Sequence, residues 1–389
     1  MIWVGIVGGV AVWTWWSFLR ELDSFEEVVP TGAVPALRPF VSVVVPMRNE
    51  ETNASRCLHS LLGQSYPDLE VIAVDDGSTD QTSHILDRFL EKAELLRVLR
   101  VGRKPEGWNG KSYALNRASR IARGSWLLFL DADTKAEPEL VCSLVNRVAK
   151  SPCDMISLCP RQVLDSFWER AIQPVVFLII MRSFSARKAN DPTSKTAAAN
   201  GQCIFINRQV YEQIGGHKAI KGSILDDFSL AGLVKERGFR LCFADGRKLI
   251  RTRMYKNLKD ICLGWRKNLF VGADRNWGNV FFFTLQALLL AALVPTALVS
   301  ASFLAGHSIG QVPLSTFNYA ALTAALLISG VVIARIGSYF KLAIYNVPAI
   351  SIGGLVAIGI MFFSAISRSV GWKGRVYSQE PINVARTRS

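Results

Sequence analysis

From Asn276 to Ala334 the chain runs for 59 residues without Asp, Glu, Lys or Arg. About 18 to 20 apolar residues cross a bilayer, so this stretch is too long for one crossing. A break around Gly306 to Thr316 divides it. After Lys341 the sequence is uncharged again from Leu342 to Ser367. Three C-terminal apolar segments are therefore predicted, near 280–305, 317–339 and 343–367. A tail over 368–389 follows, with Arg368, Lys373, Arg375, Arg386 and Arg388 against Glu380. Three full crossings would place this tail opposite the domain that precedes them, whereas its basic excess argues for the cytosolic side. A re-entrant segment or an exception to the rule would resolve the conflict, and the tail is expected in the cytosol. At the other end, residues 1–19 carry no charge and Arg20 follows. With no basic leader and no clear cleavage site, residues 1–20 read as a retained anchor rather than a signal peptide.

The formal net charge of +14 fits either nucleic acid or an anionic membrane. Its distribution decides. Arg247, Lys248, Arg251, Arg253, Lys256, Lys259, Arg266, Lys267 and Arg275 stand against Asp260 and Asp274 just before the apolar run. A basic block there fits lipid headgroups, and no zinc-finger or RNA-binding signature is present. Nucleic acid is therefore not expected as a partner. Seven cysteines without paired or metal-type spacing read as reduced thiols.

Between the apolar ends, after a linker over 21–39, the pattern alternates. Strands are predicted at Phe40 to Pro46, Leu69 to Val74 and Leu96 to Val101, and a fourth in the apolar run from Gly124 that stops at Asp131 and Asp133. Helices lie between them, at Thr52 to Leu62, Thr79 to Glu91 and Lys111 to Ala122. This β-α alternation predicts a mostly parallel, Rossmann-like sheet covered on both faces. No GxGxxG follows the first strand, which disfavours a dinucleotide fold of the dehydrogenase type. Asp154 to Cys159, Gln202 to Asn207 and Phe239 to Phe243 are further strands, and Leu225 to Glu236 is a helix. Ser166 to Lys188 reads equally as an interfacial helix with its basic end at the headgroups or as a buried core helix.

The run Gly124 to Leu130 ends at Asp131-Ala132-Asp133. Ligands in open α/β sheets bind at the carboxyl ends of strands. Two carboxylates there favour a hard divalent cation, magnesium or manganese, which in turn would hold a diphosphate. Asp75-Asp76 ends the second strand, and Asp226-Asp227 opens a later helix.

Five motifs in order carry a resemblance. They are Val43-Val44-Val45-Pro46-Met47-Arg48-Asn49-Glu50, Val74-Asp75-Asp76-Gly77-Ser78-Thr79-Asp80, Gly110-Lys111-Ser112-Tyr113-Ala114-Leu115-Asn116, Asp131-Ala132-Asp133 and Asp226-Asp227. From about 40 to 275 the chain resembles family-2 inverting glycosyltransferases of the GT-A fold. The resemblance implies a domain over 40–275 with Pro46, Glu50 and Asp75 lining a nucleoside pocket, and Asp75 or Asp76 near the base. It implies Lys111 on the nucleotide, Asp131 on ribose or metal, and Asp133 as the main metal ligand. Asp227 would be the general base, with Asp226 the alternative. Gly201 and Gln202 would lie in the acceptor-side loop. Trp265 and Arg266 sit where processive members carry Gln-x-x-Arg-Trp, but the order is reversed and the Gln is missing, which speaks against polymer synthesis. Trp372-Lys373-Gly374-Arg375-x-Tyr377 resembles members acting on carotenoids, hopanoids and ceramide. The expected function is transfer of one sugar from a nucleotide-sugar to a lipid hydroxyl at the inner membrane, with the catalytic domain in the cytosol. A polysaccharide synthase and a non-catalytic membrane scaffold are the alternatives.

Overall fold

The computed structural model describes residues 2–304, 316–367, 369–372 and 374–378. The break expected around Gly306 to Thr316 falls on residues 305–315, outside the described residues. So do Arg368, Lys373, Glu380, Arg386 and Arg388 of the tail.

The strands run in chain order as β1 (Val41–Met47), β2 (Leu69–Asp75), β3 (Leu96–Arg100), β4 (Trp126–Leu130), β5 (Thr134–Ala136), β6 (Met155–Cys159), β7 (Arg161–Gln162), β8 (Cys203–Asn207), β9 (Leu241–Asp245), β10 (Ile250–Thr252), β11 (Ser369–Trp372) and β12 (Arg375–Ser378). Seven of them make one sheet in the order β3-β2-β1-β4-β8-β6-β9. This is the mostly parallel α/β sheet that the alternation predicts. Strands β1 and β2 are Val/Ile-rich and buried on both faces, as a helix-covered parallel sheet requires. Strand β8 departs from the parallel rule, pairing antiparallel with β4 and β6. That reversal has a consequence for the rim, because Cys203 pairs with Leu130. The loop before β8 therefore reaches the same edge as the loop after β4. Pro46, which has no N–H, lies beyond the last β1–β4 pair, Val44 with Phe129. The two central strands separate there and open the edge.

A second layer is made of apolar helices. Among the described residues, three helical stretches are long and apolar enough to cross a membrane, Trp277–Ser302, Leu322–Phe340 and Ile344–Ile366. The N-terminal segment is a helix over Ile2–Leu22, and Trp15 Nε1 donates to the Leu289 carbonyl at 3.1 Å. The helix Phe167–Ser183 opens with a Ser166/Glu169 capping box and is buried among these helices. It is thus the core-helix alternative that forms. Its Arg182 is not at a free basic end, since its guanidinium sits near the Trp13, Phe18 and Phe282 rings and donates to Ser17 Oγ at 2.6 Å.

Four cations of the basic block have acidic partners within the chain. Arg247 pairs with Asp245 at 2.6 Å, Lys248 with Glu27 at 2.8 Å and Arg251 with Glu137 at 3.2 Å. Arg253 pairs with Glu169 at 2.9 Å and Asp165 at 3.0 Å. The strands and turns after β9 carry these cations onto acids from earlier segments. Of these, Arg253 ties the chain just after β10 to the helix Phe167–Ser183 through Glu169.

Both ends of the last apolar segment return to the α/β domain. Arg247 donates to the Tyr339 carbonyl at 3.0 Å just before it, and Arg266 donates to Ser367 Oγ at 2.8 Å just after it. Close packing holds this helix in place. A Cβ on Gly353 would lie 1.8 Å from the Ala171 carbonyl oxygen, whereas nothing is within 4 Å of one on Gly359. Gly353→Val is expected to cost on the order of 2 kcal/mol of stability through overpacking. Gly359→Ala is expected to leave thermal unfolding of the detergent-solubilised protein unchanged. Equal melting temperatures for the two variants would contradict this packing.

Candidate active site

The site forms where four loops meet at the carboxyl edge of the sheet. Strand β2 leads into Asp76, β4 leads into Asp131 and Asp133, the turn before β8 brings Gly201 and Gln202, and the helix Asp226–Glu236 opens with Asp226 and Asp227. Carboxylates in the first turn of a helix are favoured by its dipole. Lys111 enters from the first turn of the helix Gly110–Ile121, which Asn109 caps by accepting from the Lys111 N–H.

Lys111 is the electrostatic centre. Its Nζ lies 2.7 Å from Asp131 Oδ1 and 3.7 Å from Asp226 Oδ2. Burial works against its charge, but Asp131, Asp226 and Asp227 more than offset that and hold its pKa well above the ordinary lysine value. Asp227 Oδ2 accepts from the Gly201 N–H at 2.8 Å, and its Oδ1 from the Phe228 N–H at 2.9 Å. Burial and the neighbouring Asp226 push the Asp227 carboxyl up to about 6, against the pull of Lys111 and these two amides. Gly201 fits between the two groups. A Cβ there would come 3.1 Å from Lys111 Nζ and 3.2 Å from Asp227 Oδ2.

All of this lines a cleft of about 1020 Å³ that also includes Pro46, Glu50, Asp76, Asp133, Gln202 and Trp265. Two expected residues lie elsewhere. Asp75 is buried and closes its own turn, accepting from the Ser78 N–H at 2.9 Å and from the Ser83 hydroxyl. Arg266 turns away toward Ser367. Trp265 is 4% exposed, with Nε1 donating to Gln173 Oε1 at 2.7 Å, so most of its ring is packing. The next residue, Lys267, faces the cleft instead, and burial lowers its pKa despite the attraction of Asp226. The sequence placed it in a basic block without singling it out. The helical period of Leu258–Gly272 is the signal that puts 267, rather than 266, on the inner face.

Asp131 and Asp133 supply hard carboxylate oxygens that suit a divalent ion, and burial together with the charge of Asp133 raises the pKa of nearby Tyr255. Among the described residues, no three His, Cys, Asp or Glu side chains converge as a ligand set.

The motifs and the sheet agree with a direct comparison. Residues 42–215 match the family described as Glycosyl transferase family 2. This stretch is a glycosyl transferase family 2 domain. With the mostly parallel sheet, it gives the expected GT-A fold class. Among curated relatives, the 4,4'-diaponeurosporenoate glycosyltransferase of Staphylococcus aureus (strain USA300) is 28% identical over 238 residues. That match covers 60% of this chain and 61% of the relative, so the two correspond over less than two thirds of the relative's length. Among solved structures, the mannosyltransferase PcManGT from Pyrobaculum calidifontis, in complex with GDP-Man and Mn2+, aligns with a TM-score of 0.49 and 20% identity. It covers 91% of this chain and 97% of its own. S. aureus TarS 1-349 in complex with UDP-GlcNAc aligns with a TM-score of 0.39 and 15% identity, over 87% and 96%.

Proposed function

We propose that the chain transfers one sugar from a nucleotide-sugar to a hydroxyl of a membrane-dissolved lipid, inverting the anomeric configuration. A carotenoid or other isoprenoid alcohol is the first candidate, the relative being named for a carotenoid. A hopanoid, ceramide or diacylglycerol follows. The observation that carries this reading is the shape of the cleft. Asp76, Lys111, Asp131, Asp133, Asp226 and Asp227 line it. The same cleft is lined by Phe177, Ile180, Met181, Phe184 and Leu269, and by Phe283 from the first membrane-length stretch. A lipid hydroxyl can thus reach the acids while its chain stays among apolar helices. The whole-chain arrangement follows the same reading: an anchor over 1–20, a catalytic domain over 40–275, and the C-terminal apolar helices in the inner membrane with the cleft on its cytosolic side.

Asp227 takes the proton from the acceptor hydroxyl, whose oxygen attacks the anomeric carbon. The bond from that carbon to the diphosphate oxygen breaks, and the nucleoside diphosphate leaves. Lys111 and Lys267 bring positive charge to the diphosphate side. Asp133, with Asp131, would hold a magnesium or manganese ion, which when bound supplies Lewis-acid neutralisation of the leaving group.

Reconstituting the full chain in liposomes with lipid extracts and labelled UDP- and GDP-sugars tests the proposal. Mass spectrometry should find lipids heavier by a single sugar. A sugar polymer, or no lipid product across the panel, would overturn it.

A further inference from the structure

The expected basic tail is partly a hairpin folded back onto the cleft. Strands β11 and β12 pair antiparallel, with Trp372 opposite Arg375. The turn between them is closed by Gly374 at φ +72°, a left-handed value that favours glycine. Val370 is buried, and the hairpin packs on the helix Leu258–Gly272. Gly371, Gly374, Arg375 and Val376 form one wall of the cleft, facing Arg48, Asp76 and Asn109.

From this wall Arg375 reaches across to the sheet. Its guanidinium grips Asp76 in a two-pronged pair, Nη2 to Oδ1 at 2.8 Å and Nη1 to Oδ2. It lies directly over Gly110, where a Cβ would fall 1.3 Å from Nη1. A side chain at this position would displace the guanidinium. Gly110 is the first residue of the helix that carries Lys111, and the start of a helix favours an anion. A planar fork and a helix start thus meet at one place from two chain segments about 265 residues apart (110 to 375), and Lys111 follows directly on that helix start.

We propose that Arg375 is a donor-binding residue and that the hairpin is a strap over the nucleotide. When the donor binds, the guanidinium exchanges the Asp76 carboxylate for the diphosphate, whose geometry its fork also matches. Asp76 is then released to accept from the nucleoside. The donor site is incomplete without the last described residues of the chain, although these follow the membrane-length helices. This inference rests on reading the cleft as a nucleotide-sugar site.

The test compares UDP and GDP with uridine and guanosine, binding each to the full-length protein in detergent by calorimetry. The wild type should bind at least one diphosphate. Arg375→Gln should weaken that diphosphate roughly tenfold or more and leave the matching nucleoside unchanged, and Arg375→Lys should recover part of the loss. Equal loss of diphosphate and nucleoside, or no loss of either, would reduce Arg375 to a fastener of the hairpin and overturn the proposal. A wild type that binds neither diphosphate would overturn the transferase reading and this inference with it. Hydrogen exchange on the wild type gives a check that needs no variant. The amides of 369–378 should exchange more slowly with the bound diphosphate, and an unchanged rate would contradict the strap.

Discussion

Asp227→Asn should reduce sugar transfer by about 10²- to 10⁴-fold, the range for removing a general base, while leaving nucleoside diphosphate binding nearly intact. The asparagine keeps the shape and can still accept a backbone N–H, but it cannot take a proton. Asp226→Asn separates the two candidate bases. Asp226 is the second cause, after burial, of the raised Asp227 pKa. Neutralising it should therefore lower the Asp227 value and shift the pH dependence downward, with a smaller loss of rate. If the larger loss falls on Asp226→Asn, the roles assigned here are reversed. Steady-state transfer rates, with a direct binding measurement on each variant, decide it.

Lys111→Met carries the second large effect. It keeps the length of the side chain and removes the ammonium that sits 2.7 Å from Asp131 and 3.7 Å from Asp226. Three carboxylates would then face one another without that cation. Two consequences follow from the same missing charge. Donor binding should weaken and kcat/KM fall by about 10²-fold or more, the scale for losing a charge that stabilises a leaving group. The Asp227 carboxyl, no longer pulled down by Lys111, should titrate above its wild-type value of about 6, so the rising part of the pH profile should move to higher pH. A variant with lower activity but an unmoved profile would show that Lys111 binds the donor without tuning Asp227.

Much of this site was legible in the sequence because its residues sit next to strong local signals. The apolar run to Leu130 announces a buried strand, and a strand end fixes where Asp131 and Asp133 stand. The same holds for Asp76 after β2 and for Asp226-Asp227 at a helix start. Residues whose role depends on helical phase or long-range pairing were harder to read. Lys267 and Arg266 are adjacent, and a small rotation of Leu258–Gly272 decides which one faces the cleft. Asp75 looks equivalent to Asp76, yet it serves its own turn through Ser78 and Ser83. The antiparallel β8 had no local signature, since Cys203–Asn207 is as apolar as its parallel neighbours. Arg375 stands in the basic tail and in the Trp372-Lys373-Gly374-Arg375-x-Tyr377 resemblance, and nothing near it in sequence points to Asp76. The ion pairs of Lys248, Arg251 and Arg253 were hidden for a related reason, because their partners Glu27, Glu137 and Glu169 are far away in the chain.

The central claim is that a carboxylate held by two backbone amides, beside a lysine and a second acid, draws the proton from a lipid hydroxyl. The pH dependence of kcat/KM for the wild-type protein in liposomes tests it most directly, since that quantity reports ionisations of the free enzyme. Asp227 acts as a base only when ionised, so activity should be full above its pKa and decline as the pH falls through about 6. The rising limb should be centred near that value and be absent in Asp227→Asn. A wild-type profile that stays flat from pH 8 down to the ordinary carboxylate range, about 4, would contradict the account.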